Sequence, residues 1–219
     1  MSPRVAVRPL ERVPAVVSVA PPELDAADLA RVEAERRRLG AHPTMFNGPL
    51  LMVCEAAPER LAVYPATYAW HTADRAGPLP GTAGGLGVQL AVVRDDGMVL
   101  WQRRTDDVDH PGGWTISVAG SAVPGVDVER QIVDEASEEL GLRRADLLAL
   151  APMALVQDPR GRTVQVVFRA GLRSGVDPVP RPAEVAEIRF ANEFPAAGPV
   201  ETLTAAWWRD LVRLATGEG

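Results

Sequence analysis

The spacing of apolar and polar positions divides the chain into short strand-like runs broken by a few helical stretches. Pro21 and Pro22 lead into a charged segment in which Leu24, Leu29, Val32 and Leu39 recur before Gly40, which predicts an amphipathic helix with a glycine stop. Arg36, Arg37 and Arg38 then read as a solvated helix end favoured by the dipole. Two apolar runs, 46–56 and 59–65, flank Ala57 and Pro58 and predict a hairpin, followed by a short helix from Tyr64 to Arg75. The stretch 78–85, PLPGTAGG, is the clearest linker. Beyond it, LGVQLAVVRDDGMVLWQRR forms two β-rich runs around Asp95, Asp96 and Gly97, a strong hairpin signal. A short strand at 114–118 and a helix from Asp127 to Leu140 ended by Gly141 come next. Strands at 147–157 and 163–171, a Pro-rich loop at 174–182, a strand at 184–190 and a C-terminal helix at about 201–215 complete the pattern. Helices that interrupt a mostly hairpin-connected sheet imply a mixed α/β or α+β sandwich rather than a parallel doubly wound sheet. The expected organisation is a helix-and-hairpin extension at 1–82 and a main domain at 83–219.

Composition narrows the function classes. A chain of 219 residues, 47% hydrophobic and 24% charged, can bury a core and is not globally disordered. A net charge of -6 gives no broad basic footprint, so nucleic acid is not an expected partner. The single cysteine, Cys54, excludes an intrachain disulfide and a Cys-rich zinc site, which fits a reducing cytoplasm. No apolar run approaches the roughly 18 residues of a membrane span, and MSPRVAVRPLERV lacks the apolar core of a signal peptide. A cytoplasmic protein without a membrane partner is expected.

The informative segment runs from Gly120 to Leu142. Glu135, Glu138 and Glu139 stand three and four residues apart, so all three carboxylates project from neighbouring points of one helix surface. Ile132, Val133, Ala136 and Leu140 form an adjacent stripe that anchors the helix and leaves the acidic face open. Clustered carboxylates raise one another's pKa, and hard cations such as Mg²⁺ or Mn²⁺ relieve them by oxygen coordination. Three glutamates alone fit a solvated acidic face better, because charge runs are usually solvated. The loop before them, with Gly120, Pro124 and Gly125 following a strand, changes that balance.

Read without gaps, these residues resemble the Nudix signature: a glycine, five residues, a glutamate, seven residues, then R-E-U-x-E-E-x-G-U with U aliphatic. The chain supplies Gly120, Glu135, Glu138, Glu139, Gly141 and Leu142, with Ala136 at the first aliphatic position. It departs at Val126, in place of the first glutamate, and at Asp134, in place of the arginine. The resemblance covers 83–195 and implies a Nudix α/β/α sandwich with a mixed sheet, carrying the N-terminal extension. It implies Mg²⁺ or Mn²⁺ held by Glu138 and Glu139, with Glu135 a further ligand or a water-orienting group and the Ala119 backbone carbonyl another ligand. The implied activity is a metal-dependent pyrophosphohydrolase that cleaves a small-molecule nucleoside diphosphate derivative; the general base is not fixed.

The departures define alternatives. The missing arginine would brace the glutamates, and Asp134 adds repulsion instead, although Asp127 falls on the same helical side as Asp134 and Glu138 and could replace the lost acid. A weak or inactive Nudix protein that binds a diphosphate ligand is therefore one alternative. Another follows from PGGWTISVAG at 111–120, which resembles isopentenyl diphosphate isomerases. Those enzymes place a catalytic cysteine where this chain has Ala119, which supplies neither acid nor base at carbon. Prenyl diphosphates stay among the candidate substrates. The run PTMFNGPLLMV loosely resembles the N-terminal part of Nudix proteins that hydrolyse nucleotide sugars of the UDP-glucose kind, and a homodimer is also open.

Outside the box, one of Arg103 and Arg104 could clamp a substrate phosphate, since neighbours on a strand face opposite ways. Glu184 and Glu187 lie on a strand that resembles a segment near the Nudix metal site, and a solvated edge role fits them equally. His110 is read as a loop histidine without a catalytic role. Trp207 and Trp208 are assigned in part to core packing, and Tyr64, Tyr68 and Trp70 to the core of the extension rather than to stacking a base.

Overall fold

The computed structural model describes residues 5–41, 47–106 and 112–192, together with residues 210, 213 and 214. Apart from those last three positions the expected C-terminal helix lies outside the described residues, as do His110, Trp207 and Trp208.

Among the described residues, eleven strands and three α-helices follow one another as β1 (Ala6–Pro9), β2 (Ala15–Ser18), α1 (Ala26–Gly40), β3 (Pro49–Ala57), β4 (Arg60–Thr67) and α2 (Tyr68–Ala76). Then come β5 (Gly84–Val93), β6 (Val99–Arg104), β7 (Trp114–Ile116), β8 (Val118–Ser121), α3 (Val128–Leu140), β9 (Leu147–Asp158), β10 (Thr163–Leu172) and β11 (Val185–Ala191). The main path of the sheet is β1-β9-β10-β5-β3-β4-β2; β8 pairs with β5, and β6 pairs with β5, β7 and β11. Pairing is parallel between β10 and β5 and between β2 and β4, and antiparallel elsewhere, so the sheet is mixed as expected.

Strand β5 is central and buried on both faces. Leu86, Val88, Leu90 and Val92 point into the main core, where they meet Ile132, Ala136 and Leu140 of α3. Ala91 and Val93 face a second cluster with Trp101, Trp114 and Ile116. Full burial of aliphatic side chains of this size contributes about 1.5–3 kcal/mol each, which is why α3 lies flat on this face.

Several elements differ from the sequence expectation. Strands β1 and β2 carry four residues each, too few for alternation to register, and β2 is exposed throughout; it exists through backbone pairing with β4. Tyr64 lies in β4, opposite Met52, and α2 begins only at Tyr68. Burial of Tyr64 among Leu50 and Met52 outweighs the local helical pattern. The expected strand at 114–118 divides at Ser117, whose hydroxyl donates to the Leu100 carbonyl at 2.7 Å and accepts from the Val92 amide at 2.8 Å.

The segment between α2 and β5 is anchored rather than free. The buried Asp74 carboxylate accepts from the Leu79 amide at 2.7 Å and from the Thr82 hydroxyl at 2.8 Å. It is also gripped through both oxygens by the Arg162 guanidinium, at 2.9 Å each. Strand β3 pairs with β5 at Met52 and Val53, so the extension and the following residues share one sheet. Among the described residues no helix is long and apolar enough to cross a membrane.

Candidate active site

Helix α3 is fixed at both ends. The Asp127 carboxylate accepts from the amides of Glu129 at 2.9 Å and Arg130 at 3.1 Å, an N-cap that fits its place before the first turn. One oxygen of Asp127, Oδ1, is thereby engaged in capping. At the other end Gly141 adopts φ 66°, where glycine has no Cβ penalty, and the Leu142 amide returns to the Ala136 carbonyl. The Pro-rich loop completes the helix end, with the Val179 amide donating to Leu140 O and the Arg181 amide to Glu139 O, both at 2.8 Å. The same loop carries Glu184 to the acidic helix.

The three box glutamates have three different environments. Glu138 is exposed. Glu135 is partly buried and lies against Gly120, where a built Cβ would stand 2.2 Å from the Glu135 carboxyl carbon. Gln131 Nε2 donates to Glu135 Oε1 at 2.8 Å. Burial, helped by the charges of Glu138, Glu184 and Asp134, pushes the Glu135 pKa up to about 7 against the hydrogen bond from Gln131. Glu139 is buried, at 1% exposure, which corrects the expectation of a wholly open acidic face. Gln102 Nε2 donates to Glu139 Oε2 at 2.9 Å, and the Ala119 amide reaches the same oxygen at 3.4 Å. Burial pushes the Glu139 pKa up to about 8, opposed by Gln102 and by the charge of Arg104 and reinforced by Glu135 and Glu184. The helix packs its i and i+4 carboxylates inward because Ile132, Ala136 and Leu140 draw that side onto the sheet.

The two arginines of β6 separate as alternation requires. Arg103 pairs with Glu187 of β11 at 3.2 Å, while Arg104 acts electrostatically on Glu139. Glu184 is thus brought to the cluster and Glu187 is not. Asp134, in the position of the box arginine, is half-exposed and 3.5 Å from Arg130, so no cation of the helix braces the glutamates from there. Gln102 was not singled out from the sequence. Its signal was a lone amide directly after the apolar run Val99–Trp101.

Among the described residues no three His, Cys, Asp or Glu side chains close on one point as a metal cage. The donors nevertheless suit a hard divalent cation. All are oxygens, and Glu139 Oε1 is buried without any hydrogen-bond donor, a place where a cation would supply the missing partner.

The fold and the loop-helix segment agree with comparisons to known proteins. A model of the NUDIX domain matches residues 85–207. Among solved structures, DR0079 from Deinococcus radiodurans is similar with a TM-score of 0.55 at 18% identity, covering 77% of this chain and 99% of that one. A Nudix hydrolase from M. smegmatis, RenU, has a TM-score of 0.48 at 23% identity, covering 62% and 87%. No curated protein matches. The chain belongs to the Nudix family.

Proposed function

We propose that this Nudix protein is a Mg²⁺- or Mn²⁺-dependent pyrophosphohydrolase that cleaves the diphosphate bond of a nucleoside diphosphate derivative. The observation that carries the reading is the pair Glu135 and Glu139, drawn inward beside Ala119 and Gly120 with pKa values raised by burial. Buried carboxylates that resist ionisation are stabilised by a bound cation. Glu135, Glu139 and the Ala119 carbonyl would hold the ion, with Glu138 and Glu184 at its margin. A bound divalent ion would neutralise phosphate oxygens and acidify the attacking water. Arg104 adds a guanidinium beside the same carboxylates, in reach of a phosphate oxygen that enters there. The extension at 1–82 packs against the main domain at 83–219 as part of one cooperative unit. Its resemblance to nucleotide-sugar-hydrolysing members at 43–53 favours a nucleotide sugar as substrate.

A second reading has its own support. Asp134 faces Arg130 rather than bracing the glutamates, Val126 brings no carboxylate, and no three-donor cage closes among the described residues. A protein that binds a diphosphate ligand with slow turnover fits those facts. The two readings separate in one assay: product release from UDP-sugars, ADP-ribose, dinucleotides, nucleoside triphosphates and prenyl diphosphates, with Mg²⁺ or Mn²⁺ and with chelator. Metal-dependent turnover of a nucleoside diphosphate derivative supports the enzyme. Tight binding without turnover of any compound selects the binding module.

A further inference from the structure

We infer that Gln102 is a positioning residue that ties one oxygen of Glu139 to the protein and so presents the other to the cation. The inference rests on the metal-dependent reading above. Alternation along β6 turns Leu100 and Gln102 towards α3 and Trp101 to the opposite cluster. Packing alone would be served by an apolar residue at 102, as at Val99, Leu100 and Trp101, and a buried amide carries a desolvation cost that needs a compensating partner. Gln102 is 1% exposed, and its side-chain amide donates to Glu139.

The geometry of that contact is one-sided. Gln102 Nε2 and the Ala119 amide both address Glu139 Oε2, at 2.9 Å and 3.4 Å, while Glu139 Oε1 is buried with no donor. The Gln102 carbonyl oxygen is likewise buried without a partner. With a cation bound Glu139 is ionised and accepts only, so the NH₂ end of the Gln102 amide then faces it. Both donors engage Oε2, so Oε1 is the oxygen left without a donor. Hydrogen bonds of this outer kind orient metal ligands, and their loss weakens metal affinity about 10–100-fold. Arg104, two residues on, adds a positive charge that acts on the same carboxylate. Strand β6 therefore serves Glu139 with a neutral donor and a cation.

The test is direct titration of Mn²⁺ by electron paramagnetic resonance on the full chain, comparing wild type with Gln102→Met, which keeps the volume and loses the donor. Mn²⁺ affinity should fall by about tenfold or more with unchanged circular dichroism. At saturating Mn²⁺ the KM for substrate should stay within about twofold of wild type, because a ligand-orienting role acts through the metal. Equal Mn²⁺ affinity in a folded Gln102→Met protein overturns the inference and leaves the metal reading standing. Failure of wild type to bind Mn²⁺ overturns both. Should Gln102→Met not fold, the Gln102 side-chain amide signals in wild type decide by nuclear magnetic resonance. They should shift on Mg²⁺ saturation, and signals that do not move overturn the assignment.

Discussion

A β-carbon on Gly120 would stand 2.2 Å from the carboxyl carbon and one oxygen of Glu135, so the loop glycine and the helix glutamate occupy space that only one side chain can fill. The box glycine is required here for the approach of Glu135. Gly120→Ala should destabilise the protein by about 1–3 kcal/mol, the usual cost of overpacking. The double change Gly120→Ala with Glu135→Ala should recover most of that loss, because the clash disappears with the longer side chain. Urea denaturation of the three variants checks this; strictly additive losses would show that the two residues do not compete for space.

Burial of Glu135 and Glu139 has a sign that can be measured. Their folded pKa values, about 7 and about 8, lie above the ordinary 4.5. A carboxyl with a raised folded pKa holds its proton more tightly when folded. Its contribution is complete below the unfolded value and is lost as the pH rises through the folded one. Metal-free protein should therefore lose stability from about pH 5 to pH 8, by up to about 1.4 kcal/mol per pH unit for each group. Glu139→Gln should flatten the upper part of that slope, and Mg²⁺ should flatten it in wild type. Urea midpoints in chelator that do not differ between wild type and Glu139→Gln across this range would contradict the burial of an ionisable Glu139.

The Asp74 and Arg162 pair joins α2 to the turn between β9 and β10. Asp74 has no exposed surface, so Arg162→Met leaves an unpaired buried charge and should cost about 3–5 kcal/mol. Asp74→Asn with Arg162→Met should cost less than Arg162→Met alone. Thermal unfolding of wild type should show one transition, since the pair and the β3–β5 pairing link the extension to the rest; two separated transitions would contradict the single cooperative unit.

Much of this was legible in the sequence where the signal is local. The hairpin of β5 and β6 follows from alternating runs around Asp95-Asp96-Gly97, and α3 from its apolar stripe and glycine stop. Glu135 and Glu139 were identifiable from helical spacing, but their burial was not, because it depends on β6 and on the loop that docks at the helix end. Gln102 pairs with a residue 37 positions away, a distance that no periodic pattern reports. The four-residue strands β1 and β2 depend on partners far along the chain, β9 and β4, so their own residues carry little sign of them.

The two departures from the Nudix signature can be reversed. Asp134 raises the Glu135 pKa through its charge, so an arginine there reverses the sign of that effect and loses the pairing with Arg130. Val126→Glu with Asp134→Arg should raise metal-dependent turnover, by about tenfold if each change recovers roughly 0.7 kcal/mol of transition-state stabilisation. Turnover and Mn²⁺ affinity measured side by side show whether the change acts through metal binding. A drop in both would mean that the present residues are adapted to this site.

The central claim is that Glu135 and Glu139 hold a divalent ion used in cleaving a diphosphate. The most direct measurement is hydrolysis of the best nucleoside diphosphate substrate as Mn²⁺ is titrated, for wild type and for Glu135→Gln with Glu139→Gln. Wild type should be activated from a chelator baseline, and the double variant should fold yet lose activation by about a hundredfold or more. Equal activation of the two proteins by Mn²⁺ would contradict the account.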